Sequence, residues 1–272
     1  MRRDSFDVQE LRESDWNCFQ DRVADLEKGI SYPLGTDRFE IDHGKDYFAF
    51  FTRMGKLHYY VVLGGEKVIA VAAAILRQIP TSGNQKPKKT WYFCDLKVRP
   101  ESRGYNIPFK MFASAIPKHY LSCSRGYAIS MDLGIRGRNR VALMLTRFPL
   151  VPVSIATKLG IVCLDYDRIR SIEPILREQF GSISYLSLEG KKDLILESTQ
   201  SAMPLLHVQF GPCAQQGYPE PFHGHVHMFC APIDDPVFEE LGYQEIYPLA
   251  TATVVHHRME NWDWRFILTS DI

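Results

Sequence analysis

Apolar residues recur along this chain with two periods, and the switch between them organises its first half. Over Val8–Lys28, Leu11, Cys18, Phe19, Val23 and Leu26 return at helical spacing, and Gly29 stops the run, so a helix is predicted there. After a loop carrying Tyr32-Pro33 and Gly35, a second amphipathic piece is predicted from about Asp46 to Met54, closed by Gly55. The pattern then becomes extended. Leu57–Leu63 is aromatic and β-branched, Gly64-Gly65-Glu66 is a turn signal, and Lys67–Ile79 is a second extended run, which together predict a hairpin. The loop Pro80–Lys89, with Ser82-Gly83-Asn84 and Lys86, Lys88 and Lys89, reads as a solvated connection.

Trp91–Val98 is a third predicted strand. Pro108 then opens a helix with Phe109, Phe112, Ala113 and Ile116 on one face, because a missing N–H costs nothing in the first turn. Pro117 is expected to end or kink that helix. A fourth strand over Tyr127–Ile135 and a short helix over Asn139–Phe148 complete an α/β alternation. Beyond Asp165 the periodicity is weaker. A helix at Ile172–Gln179, a strand at Ser182–Leu188, a mixed stretch to Gly217, a strand at His225–Ala231, a helix at Pro236–Leu241 and an extended run at Glu245–Arg258 are predicted, with Trp264–Thr269 closing the chain.

Charge narrows the classes of partner. Thirty-two basic residues balance 32 acidic ones, so the net charge is zero in a chain of 272 residues. Bulk nucleic acid and anionic membrane surfaces demand an excess of Lys and Arg, and neither is expected as a partner. The longest apolar run, Val68–Leu76, is well short of the roughly 18 residues of a membrane span, and Met1-Arg2-Arg3-Asp4 leads into polar sequence, so a cytoplasmic protein is expected. Cys18, Cys94, Cys123, Cys163, Cys213 and Cys230 are scattered without a CxxC pair and are read as reduced thiols.

The stretch that carries chemistry is Asp95-Leu96-Lys97-Val98-Arg99-Pro100-Glu101-Ser102-Arg103-Gly104-Tyr105-Asn106-Ile107-Pro108. A strand feeds through a short turn into a helix N-terminus, where backbone N–H groups converge and the helix dipole is positive. Arg103 adds a full charge and Gly104 permits close approach, so the turn is a candidate cradle for a phosphate or pyrophosphate.

This stretch resembles the acyl-CoA signature of the GCN5-related N-acetyltransferase (GNAT) family, V-x-P-x-x-R-G-x-G-x-G/A. Val98, Pro100, Arg103 and Gly104 match, Ile107 is typical of a variable position, and Asn106 and Pro108 depart from glycine and from glycine or alanine. Asn tolerates a left-handed turn better than other non-glycine residues, while Pro108 removes one backbone donor. Asn139-x-x-Ala142-x-x-Leu145 resembles a second family element, N-x-x-A-x-x-L-Y, and Phe238-Glu239-Glu240-Leu241-Gly242-Tyr243 is similar to a family ending. The resemblance covers Phe6 to Asp165. It implies an α/β fold of acyl-CoA acyltransferase type over residues 1–165. Residues 166–272 then form either a partial second copy, the preferred reading, or a long insertion before the final strands.

The resemblance further implies that acetyl-CoA or another acyl-CoA is the cosubstrate. Its arm would lie between the third and fourth predicted strands against Leu96, Lys97 and Val98, with its phosphates on Arg103, Gly104, Tyr105, Asn106, Ile107 and Pro108 and with Asn139 alongside. A backbone N–H would polarise the thioester while an amine attacks directly. Asp95 and Asp132 are the candidate proton acceptors. Thr146 stands where the family has a tyrosine acid, leaving Tyr166 or a water for that role. The expected partners are a small amine or amino-acid-like acceptor and, in a homodimer, a second copy of the chain. A catalytically silent acyl-CoA-binding or regulatory module is the alternative. His223, His225 and His227 would share one face of a strand, with Cys230, Asp234 or His207 as further ligands, but without a convincing fourth ligand no metal is assigned.

Overall fold

A computed structural model describes residues 6–81, 86–134 and 139–272. Ser82, Gly83, Asn84, the Ile135 end of the fourth predicted strand and Met1–Asp4 lie outside the described residues. In chain order the elements begin with β1 (Asp7–Leu11), α1 (Trp16–Glu27), β2 (Tyr32–Leu34), β3 (Asp37–Asp42), α2 (Ala49–Thr52), β4 (Lys56–Gly64), β5 (Lys67–Ile79) and β6 (Lys88–Val98). There follow α3 (Ile107–Tyr120), β7 (Gly126–Met131), α4 (Arg140–Thr146), β8 (Ser154–Leu164) and α5 (Tyr166–Phe180). The chain goes on through β9 (Ile183–Leu186), β10 (Asp193–Leu196), β11 (Leu205–Phe210), β12 (Val226–Pro232), α6 (Val237–Tyr243) and β13 (Ala250–His257).

Two expectations are corrected. The helix predicted from Val8 starts only at Trp16, because Asp7–Leu11 pairs antiparallel with β4, Val8 opposite Val62 and Leu11 opposite Tyr59. Strand pairing there outweighs the accidental helical spacing of Leu11. Pro117 does not end α3, which runs on to Tyr120. Met111, Ala115 and His119, at intervals of four, are buried on the sheet, so packing offsets the one hydrogen bond the proline removes.

The strands form a ten-stranded sheet in the order β1-β4-β5-β6-β7-β13-β8-β12-β11-β9, and β10-β3-β2 form a small second sheet. In the large sheet β6 and β7 are parallel, as are β11 and β12, and the other neighbouring pairs are antiparallel. This order has an approximate two-fold about the β13–β8 seam, exchanging β6-β7-β13 for β11-β12-β8. Each half gives its last strand to the other. The strand β8, which follows α4, pairs with β12, and β13, which follows α6, returns to pair with β7. The sheet is therefore continuous across the junction of residues 165 and 166. Gly160, in the middle of β8, lies so close under Phe238 and Pro248 that a Cβ there would meet them at 2.6 and 2.8 Å.

One face of the large sheet carries α3, whose Ile107 and Met111 cluster with Ile69 and Trp91. A larger apolar core on Tyr59, Phe51, Tyr92 and Val254 includes residues of α1, α2 and the small sheet. No helix among the described residues is long and apolar enough to cross a membrane.

Candidate active site

The ladder between β6 and β7 has three registered pairs, Trp91 with Gly126, Tyr92 with Tyr127 and Phe93 with Ala128. Beyond them the two strands continue without pairing, so among the described residues the facing backbone groups of Cys94–Val98 have no partner strand. On its other edge β6 carries a bulge. Val71 pairs with Lys97 and Ala73 with Cys94, which leaves Asp95 and Leu96 opposite Ala72. Asp95 adopts the left-handed φ of 55° that such an extra residue requires. Such a bulge bends its strand, and it falls where β6 stops pairing with β7.

At the mouth of this split lies the start of α3. Gly104 has φ 90° and Asn106, the N-cap, has φ 55°, so the asparagine does take the left-handed position. Pro108 lies in the first turn. Among the described residues the N–H groups of Gly104, Tyr105, Asn106 and Ile107 have no backbone acceptor. Arg103 to Asn106 are exposed, and Tyr105 meets Phe6 edge-on. A cavity of about 840 Å³ begins here, lined by Val98, Arg103, Pro108 and Arg140, and passes through the split between the strands. It continues beneath the sheet to Tyr32, Phe39, Lys192 and His207.

Under the bulge the cavity wall becomes polar. Asp95 accepts hydrogen bonds from Tyr59 Oη at 2.5 Å and Tyr47 Oη at 3.0 Å, and pairs with Lys97 Nζ at 2.5 Å. Lys97 also pairs with Glu27, whose Oε2 lies 2.8 Å from the same Tyr47 Oη, so Asp95 and Glu27 share that hydroxyl's single proton. Burial works against the Lys97 ammonium, yet Asp95 and Glu27 together raise its pKa and hold it charged. Burial raises the Glu27 pKa, opposed by Lys97. The nearby His43 is pushed down to about 4, first by burial and then by the Lys97 charge, so its ring is neutral. Glu27, His43 and Asp95 present ligand atoms close enough to hold a metal ion. Lys97 already bridges the two carboxylates, so this group is an ion cluster that needs no metal.

The other expected site residues fall into two groups. Leu96, Lys97, Val98, Arg103, Pro108 and Asn139 line the cavity with Asp95. Asp132 does not. It is buried against Thr251 and Thr253, each donating at 2.7 Å, and against Asn139 Nδ2 at 2.9 Å, with Lys158 Nζ at 3.3 Å. Burial opposes its charge, but these donors prevail and lower its pKa. Asn139 also caps α4 by accepting from Ala142 N, so the pair fastens β7, α4 and β13 together. Thr146 donates to Leu143 O in its own helix, and neither it nor Tyr166, stacked on His223, lines the cavity.

The three histidines do not share a strand face, correcting that expectation. The strand β12 starts at Val226, so His223 and His225 sit in the preceding turn, and only His227 is within the strand and buried. Its Nε2 accepts from Phe222 N.

Sequence reading missed Lys192 at the far end of the cavity and named His207 only as a possible metal ligand. Lys192 is buried beside the Phe50 ring at 4.9 Å, and His207 is buried with its Nε2 unpartnered. Both come from stretches whose pattern gave no regular period, and only the tertiary fold brings them under the split. Tyr47, Tyr59 and Glu27 were also missed as polar partners. The signal present was the charged pair Asp95 and Lys97, two apart in an otherwise apolar strand.

No family model matches the chain. Uncharacterized protein L340 of Acanthamoeba polyphaga mimivirus is 27% identical over 233 residues, which are 84% of this chain and 68% of that protein. Among solved structures, a tandem GNAT protein from the clavulanic acid biosynthesis pathway superposes with a TM-score of 0.54 at 10% identity, covering 93% of this chain and 98% of its own. A GCN5-related N-acetyltransferase from Kribbella flavida reaches a TM-score of 0.44 at 9% identity, over 93% and 71% of the two chains. The fold of this chain is that of the GCN5-related N-acetyltransferases, in the two-half arrangement of a tandem GNAT protein.

Proposed function

We propose that the chain is an acyltransferase that moves an acetyl or other acyl group from acyl-CoA to an amine. The observation that carries this reading is the split between β6 and β7, which opens a through-going cavity whose mouth is the free N-terminus of α3. The residues there suit acyl-CoA. Unpaired N–H groups of Gly104–Ile107 and the charge of Arg103 complement a pyrophosphate. The unpaired edges of Cys94–Val98 can bond an amide-containing arm as a strand would.

When bound, acyl-CoA supplies the activated acyl carbon, and the chain's residues position it and manage protons. A backbone N–H at the bulge polarises the thioester carbonyl. The acceptor ammonium first gives up a proton, for which Asp95 is the carboxylate on the cavity wall. The amine nitrogen then bonds to the acyl carbon and gives up its surplus proton as the C–S bond breaks, and that proton passes through water to the thiolate, since Thr146 is turned into its own helix. Asp132 acts as scaffold in this scheme.

Thiol release from acetyl-CoA across a panel of amines tests the reading. Release above background that falls in Arg103→Ala through a raised KM for acetyl-CoA supports it. Tight CoA binding with no release from any amine would replace it with the silent acyl-CoA-binding module, which the disengaged Thr146 favours.

A further inference from the structure

The inner end of the cavity is built for an anion. Lys192 is buried, lines the cavity, and has no ion pair or hydrogen bond to its ammonium among the described residues. The nearby Arg53 and Arg77 share a single carboxylate, Asp271. A buried ammonium without a partner is costly, and a ligand carboxylate would remove that cost. Burial and the neighbouring Arg53 charge push the Lys192 ammonium down to about 7, the state of a cation that lacks its counter-ion.

His207 supplies the complementary polarity. Thr269 Oγ1 donates its one proton to Met228 O at 3.0 Å, so His207 Nδ1, 3.0 Å from the same oxygen, must be the donor to it. Its Nε2 is then a bare acceptor, buried and without a partner among the described residues, on a residue that lines the cavity. Between these groups and the bulge the wall is apolar, with Phe39, Phe50 and Leu194 among its residues. At the other pole the cluster of Glu27, Asp95 and Lys97, with His43 neutral, holds two carboxylates against one ammonium.

We infer that the acceptor is an amino carboxylate with an apolar side chain, its carboxylate held by Lys192 and its amine directed to the Asp95 side of the cavity. This rests on the acyltransferase reading for the chemistry but not for the binding. Lys192 is a specificity-determining residue here, and no bond to it forms or breaks.

The apolar L-amino acids, each beside its own amide, are offered with acetyl-CoA to wild type, Lys192→Met and Lys192→Arg. A phosphonate analogue of leucine is included to separate a carboxylate from other oxyanions. At least one amino acid should exceed its amide by tenfold or more in kcat/KM. Lys192→Met should raise the KM of that acid about tenfold and erase its advantage over the amide, while Lys192→Arg restores much of the loss. Equal use of acid and amide, or preference for the phosphonate, would overturn the inference while leaving the acyltransferase intact. Calorimetry of the same acids on the CoA-loaded protein is the second readout. Binding that depends on Lys192 without turnover would uphold the inference and defeat the acyltransferase, and no binding of any acid would overturn it.

Discussion

The two parallel strand pairs of this sheet make an instructive contrast. Each has three registered pairs and then loses its ladder, β6/β7 after Phe93 and Ala128, β11/β12 after His207 and Met228. After β6 the chain makes a turn into a helix of 14 residues whose first N–H groups are free. After β11 it makes only a 3₁₀ turn, Gly211–Gln216. The second opening is also covered by the chain itself. Thr269 bonds His207 and Met228 O, Ser270 accepts from Gln209 Nε2 at 3.0 Å, and Ile267 O accepts from Cys230 Sγ. The same segment then reaches the first half, where Asp271 pairs with Arg77 at 2.9 Å and its carbonyl accepts from Tyr92 Oη. One half thus keeps its cleft, and the other, its own opening covered, forms the wall at the cleft's inner end.

If that division of labour is right, the first half should be the less tolerant of polar loss. Lys97→Ala leaves Glu27 and Asp95 facing each other in a buried site, and breaking such a pair costs about 3–5 kcal/mol. Urea unfolding should show the loss as a lower midpoint, and a variant as stable as wild type would mean the cluster is hydrated and unimportant. In the covered half, Thr269→Val removes a hydroxyl that both donates and accepts, at a cost of about 1–3 kcal/mol, because His207 and Met228 O are left unpaired. CoA affinity measured by calorimetry should not change. A weakened CoA affinity in this variant would show that the tail segment also shapes the first cleft.

The legible parts of this molecule were those governed by local chemistry. The hairpin of β4 and β5 was readable because its turn and its alternation agree, and the α3 turn because Arg103, Gly104 and Asn106 are needed at specific backbone positions. The start of β1 was not, since five residues of weak alternation look like the edge of a helix until β4 supplies their partner. The exchange of β8 and β13 was illegible for a deeper reason. Each strand pairs with residues more than sixty positions away, Val254 with Ile129 for example, and no local period records which neighbour it meets. Asp132 misled for the same cause, because its two threonine partners lie on β13. Lys192 and His207 carry no motif at all, and their significance appears only once the cavity does.

The smallest expected effect concerns pH and asks whether the two halves respond alike. His43 beside the open cleft is held near 4, and burial drives His207 in the covered half well below its usual value. A histidine whose folded pKa is depressed binds fewer protons folded than unfolded. Its contribution is intact above the unfolded value of about 6.5 and is lost as pH falls toward the folded value. For His43 the first unit below 6.5 should cost about 1 kcal/mol. Urea midpoints at pH 7, 6 and 5 for wild type, His43→Gln and His207→Gln would resolve it, each variant flattening the decline. If only His207→Gln does so, the His43 pocket admits water and a proton when the cleft is empty, and the open half is the softer of the two. If neither does, the acid sensitivity arises from carboxylates such as Asp132, whose lowered pKa places its loss below pH 4 instead.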